Sequence, residues 1–128
     1  MKLRAQKEGL AVIATIAAVL GKDILVAITG NRTVDKAGVN ATSIGRLVVP
    51  AKVAGGQGTV ETKFKEFVEI KFAATLAAGV PVKLGAPDGT TGETTVVAWV
   101  SGTDGFERLY GVVWNGVANG AVGEVLTY

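Results

Sequence analysis

The chain contains no cysteine and no histidine. Without cysteine there is no disulfide, no thiol nucleophile and no thiolate zinc site. Without histidine the commonest general base near neutral pH and the commonest metal ligand are both missing. Eleven carboxylates remain, but none falls into a DxD or EF-hand spacing. A GxGxxG turn is absent, and no lysine follows a Gly-rich loop in Walker fashion. The sequence therefore offers no catalytic, cofactor-binding or metal-binding residues, and the expectation is a protein that is not an enzyme and carries no cofactor.

Aromatic residues are scarce, with four Phe, two Tyr and two Trp. No series of spaced aromatics on a basic surface could stack bases, so direct nucleic-acid binding is not expected. Long hydrophobic runs are lacking too. The longest apolar stretch near the start, Leu10 to Leu20, follows a basic segment in the manner of a signal peptide. It is far short of the ~20 residues of a spanning helix, and Lys22 and Asp23 close it. No membrane partner is expected.

What the chain has is 48% hydrophobic residues, only 19% charged residues and 18 glycines in 128 positions. Few soluble monomers are so apolar and so poor in charge. Such a composition suits a protein that hides much of its surface in an assembly.

The text also repeats itself. At an offset of sixty, "ATIAA" (14–18) meets "ATLAA" (74–78), Leu10 meets Ile70 and Val12 meets Phe72. Further on, "GRLVVPAKVAGGQGTVET" (45–62) resembles "GVVWNGVANGAVGEVLT" (111–127). The reading is a duplication, with pseudo-repeats at about 10–66 and 68–128 inside a single β-domain, 10–128. Strands are predicted over 23–29, 45–49, 58–72, 94–100, 108–114 and 123–128, with a bulge or bend near Lys65–Glu66 where the alternation of apolar residues breaks. Turn signals at 29–31, 54–58, 86–92, 101–105 and 118–120 separate them. The two Ala-rich phrases are expected to link strands. The fold class is all-β, a small sandwich or barrel built from two similar halves, with an N-terminal extended arm.

That arm, residues 1–9, holds Lys2, Arg4 and Lys7 against Glu8, with Leu3 as an apolar anchor. Late in the chain lie Trp99, Tyr110 and Trp114. They either fill the core of the second half or stand at a contact between copies, where such residues are enriched.

The phrases "FVEIKFAATLAAGVPVKLG" and "LYGVVWNGVANGAVGEVLTY" resemble the Ala/Gly/Val-rich head-decoration (capsid cement) proteins of tailed bacteriophages. Gly79, Pro81 and Val82 match the first part of the pattern; Gly111, Val112, Ala118, Gly120, Gly123 and Val125 match the second. Gly45, Gly55, Gly58 and Val60 fit the corresponding phrase of the first half, so the resemblance covers roughly residues 10–128. It implies a non-catalytic β-protein on the outer surface of the virion, made in the host cytoplasm. Its partner would be the major capsid protein, whose copies it bridges, often as a homotrimer. In that setting Lys2, Leu3, Arg4 and Lys7 become candidates for capsid contact, and Trp99, Tyr110 and Trp114 for self-association. Another virion part (tail or head–tail joining) and a secreted β-domain that binds a ligand are the alternatives.

Overall fold

The computed structural model of the chain describes residues 9–128. The expected arm is therefore outside the described residues except for Gly9. The chain divides into two compact units, Met1–Lys65 and Glu66–Tyr128. Each is a small closed β-barrel, and the described residues contain no α-helix, only a 3-10 turn at Phe106–Arg108.

The first barrel is made of β1 (Ala11–Ile16), β2 (Leu25–Gly30), β3 (Thr33–Lys36), β4 (Gly45–Val49) and β5 (Gln57–Thr62). Their order around the barrel is β1-β3-β2-β4-β5, and β5 closes on β1. The second is made of β6 (Glu66–Phe72), β7 (Pro81–Leu84), β8 (Thr95–Ala98), β9 (Gly111–Asn115) and β10 (Val122–Thr127). Its order, β6-β8-β7-β9-β10, is the same topology, with one parallel pair (β1 with β3, β6 with β8) and four antiparallel pairs. Closure removes the unpaired strand edges through which sheets otherwise recruit one another.

The strands form where the period of two lets one face bury. β1 and β5 alternate between exposed or half-buried and buried positions, and the buried set points into the barrel. Ile16, Val26, Val34, Leu47 and Val60 fill the first interior, all of them fully buried. Phe72, Val82, Val96, Val113 and Val125 fill the second together with Leu76. Each such side chain contributes about 1.5–3 kcal/mol relative to exposure.

The two lists correspond position by position. Ile16 lies opposite Val34 and Phe72 opposite Val96; Val26 lies opposite Gly45 and Val82 opposite Gly111. The backbone outside the ladders repeats as well. The N–H of Ala17 donates to Val34 O as that of Ala73 does to Val96 O. Gly55 donates to Ile16 O as Gly120 does to Phe72 O, and Lys63 to Ile44 O as Tyr128 does to Tyr110 O. Even the register shift recurs, after Leu47 in β4 and after Val113 in β9.

The expected halves are thus real, but the repeated phrase is not what relates them. Ala14–Ile16 belong to β1, whereas 74–78 follow β6 and only Leu76 makes an isolated bridge, to Val117. The true match is "IAA" (16–18) with "FAA" (72–74), an offset of fifty-six. It grows to sixty-two at Val34/Val96 and sixty-six at Gly45/Gly111, because 85–94 and 99–110 are longer than their counterparts. The strands beginning at Gly45 and Gly111 do correspond, as expected. A Cβ on Gly45 would strike Glu61 O, and one on Gly111 would strike Leu126 O, so both crossings require glycine. The expected bend near Lys65–Glu66 is a full break: β5 ends at Thr62 and β6 begins at Glu66.

Candidate interaction surface

The polar groups of the described residues are organised for structure. No three carboxylates among them are grouped to hold a metal ion. Among the described residues no buried side-chain nitrogen or oxygen lacks a hydrogen-bond partner. Lys71 Nζ donates to Asp88 Oδ2 at 2.6 Å, and the N–H groups of Thr90 and Thr91 donate to Asp88 Oδ1. The ammonium, then the two amides, hold the Asp88 carboxyl well below the ordinary carboxylate range, and the same bond raises Lys71. This cluster pins the 86–92 loop, which the sequence marked as a turn.

A second pair does the same for 100–105. Lys83 Nζ donates to Asp104 Oδ1 at 2.6 Å and the Val100 N–H to Asp104 Oδ2 at 2.8 Å, which together lower the Asp104 carboxyl. In the first barrel Arg46 bridges Asp23 (2.7 Å) and Glu61 (3.5 Å). Asp88 and Asp104, both lowered, stay charged across the neutral range.

The pinned 100–105 segment displays an aromatic pair. Trp99 stacks on Phe106 with ring centroids 5.5 Å apart, and its Nε1–H donates to Gly105 O at 3.0 Å. Phe106 is 81% exposed. Next to the 3-10 turn lies an open groove of about 600 Å³ lined by Leu84, Val97, Arg108, Leu109 and Tyr110 among others. A second groove, of about 480 Å³, has Glu69, Glu93, Ile70, Val122 and Tyr110 in its walls.

The late aromatics therefore separate. Trp99 is half-buried in the stack and Tyr110 half-buried between the grooves. Trp114, on β9, is buried and presents no ring to a partner in this conformation. Lys2, Leu3, Arg4 and Lys7 lie outside the described residues. The sequence places Phe106 near the late aromatics but does not mark it as a contact residue, because "DGFERLY" carries no period that tells surface from core.

The first barrel also presents apolar side chains. Ile13 and Val49 are 66% and 55% exposed, and both are paired in register with Thr59 of β5 between them. They form an apolar row across the outer face of β1, β5 and β4. The corresponding row of the second barrel is Glu69, Glu124 and Asn115.

Compared with protein-family models and with curated proteins, the chain matches none.

Proposed function

We propose that the protein is a structural component of a tailed-phage virion, a decoration protein that binds the outer surface of the head. It holds neighbouring copies of the major capsid protein together, meets its own copies there as a trimer, and performs no catalysis. The observation that carries this reading is the outward row Ile13–Thr59–Val49 on a barrel without free edges. Because every strand is paired, a partner must be bound by side chains on the faces and ends, and an exposed apolar row is suited to that. The small, charge-poor side chains support the same reading, since they lose little conformational entropy on docking. The resemblance of residues 10–128 to head-decoration proteins supplies the partner.

The test is to mix purified protein with expanded, undecorated heads and image them by electron microscopy. Added density on the outer surface, with heads that withstand higher temperature, is the expected result. Heads that stay bare at saturating protein overturn the reading. Rings or tubes formed with tail components would move the protein to the tail or the head–tail joint.

A further inference from the structure

Charge is divided between the barrels. Residues 1–65 hold ten Lys/Arg against four Asp/Glu, and 66–128 hold three against seven, so the units carry +6 and −4 within a chain of +2. Ion pairs inside a barrel leave these sums unchanged. The two units share one topology, so the opposite signs arose at defined positions of a common scaffold.

Three of the lysines sit at one end of the first barrel. β1 ends at Ile16, and β3, parallel to it, ends at Lys36. The loop between β4 and β5 reaches the same end, where Ile16 exchanges backbone hydrogen bonds with Gly55 and Gly56. The loop from β1 to β2 is tied there by the Asp23 N–H to Leu47 O. Lys22, Lys36 and Lys52 are thus collected at this end, all exposed, beside Val19 and Val53, each 63% exposed. In the second barrel the same backbone positions are Ala78, Ala98 and Val117, with no charge at all.

The negative charge has a matching seat. Glu69 and Glu93, both exposed, line the 480 Å³ groove with the apolar Ile70 and Val122. Lys71, the groove's only cation, is engaged by Asp88. Glu69 stands where the first barrel has Ile13, and Glu93 lies in the 85–94 segment between β7 and β8, where the first barrel joins β2 to β3 with two residues.

We propose that copies of this chain associate head to tail, the lysine end of the first barrel of one copy docking on the glutamate groove of the second barrel of the next. Val19 and Val53 meet the apolar floor of the groove, and the lysines meet its rim. A contact between two unlike patches is heterologous, so it closes into a ring or runs on as a filament. Pairing two first barrels would oppose +6 with +6, and two second barrels −4 with −4, which disfavours a twofold dimer through like barrels.

The contact is tested on the full-length protein alone. One variant carries Lys22→Glu, Lys36→Glu and Lys52→Glu; another carries Glu69→Lys and Glu93→Lys; a third combines all five. All positions are exposed, and thermal melts check each fold. Sedimentation at high protein concentration is run at about 0.01 M and about 1 M salt, where the Debye length is about 30 Å and about 3 Å. The wild type is expected to associate at low salt and to weaken at high salt. Either one-sided variant should lose at least about tenfold in association constant, because like charges then face each other. The five-fold variant, and an equimolar mixture of the one-sided variants, should both recover it. A wild type monomeric at low salt, one-sided variants that associate like the wild type, or failure of both recoveries overturns the proposal. It does not rest on the shell: bare heads would leave this contact standing, and loss of this contact would leave head binding to be measured separately.

Discussion

Asp23 and Gly79 occupy one place in the two barrels. Each donates its N–H to the fourth strand, Asp23 to Leu47 O at 2.7 Å and Gly79 to Val113 O at 2.8 Å. Each does so with positive φ, 68° and 89°. The left-handed region costs most L-residues about 1–2 kcal/mol, but Asp and Asn enter it more readily. Gly79→Ala should therefore lower the unfolding free energy by about 1–2 kcal/mol, and Gly79→Asn should lower it less. Urea denaturation of the two variants measures the difference; equal losses would show that the φ angle is not what selects glycine there.

A second relationship concerns core size. A Cβ on Gly58 would come within 2.9 Å of Ile16, and one on Gly123 within 2.6 Å of the Phe72 ring. In both barrels a glycine of the last strand makes room for the large residue that ends the first. Gly123→Ala should destabilise by about 1–3 kcal/mol through overpacking. Adding Phe72→Leu should return part of that loss, so the double variant should be better than the sum of the singles by at least about 0.5 kcal/mol. Recovery will be partial, because Asn115 O also lies 2.9 Å from the added carbon and cannot move aside.

The sequence made some of this legible and hid the rest for physical reasons. β4, β9 and β10 are β-branched runs behind glycine, and they were readable as strands. β3, "TVDK", was not, because only Val34 of its four residues is buried and so short a run shows no period. The duplication was readable as composition but misplaced by four residues at its first phrase, since Ala-rich text aligns equally well in several registers. The division of charge was present all along. It was hidden by cutting the chain after residue 9, which leaves a remainder of zero because +4 in 10–65 cancels −4 in 66–128. Only the boundary at Lys65 reveals it. The exposure of Phe106 was not legible in the sequence, since Phe106 follows a loop pinned by Asp104.

Acid should loosen the second barrel first. Asp88 and Asp104 are both held below their ordinary value of 3.8, chiefly by hydrogen bonds from Lys71 and Lys83. A lowered carboxylate stabilises the fold above its unfolded pKa, and that stabilisation is lost as pH falls below about 3.8 toward the folded value. The wild-type melting temperature should thus hold through neutral pH and fall below about pH 4. Asp104→Asn should melt lower at pH 7 and show a shallower acid decline, because one of the groups that must be protonated is gone. An unchanged acid limb in both Asp88→Asn and Asp104→Asn would assign acid sensitivity elsewhere.

The last prediction separates the fold from the role of the residues before it. The chain is fastened at Leu10: its N–H donates to Phe64 O at 3.0 Å, and its carbonyl accepts from the N–H and the Oγ1–H of Thr62, each at 2.8 Å. β1 then pairs with β5 from Ala11 onward. Deleting residues 1–8 removes Lys2, Leu3, Arg4 and Lys7 but none of these bonds, so the melting temperature should stay close to that of the full chain. Under the proposed function, an extended arm of residues 1–9 spans at most about 30 Å, a reach that a contact with a neighbouring capsid subunit would need. Fixing a backbone costs about 1–2 kcal/mol per residue, so a segment that binds in this way must form several contacts together for any gain. Single charge reversals at Lys2, Arg4 or Lys7 should then change head occupancy modestly at physiological salt, while the deletion should reduce it strongly. Occupancy on undecorated heads, counted by electron microscopy beside melts of the same samples, decides the point. Equal occupancy with and without residues 1–8 would remove them from the capsid contact, and a truncated chain that no longer folds would place them in the first barrel instead.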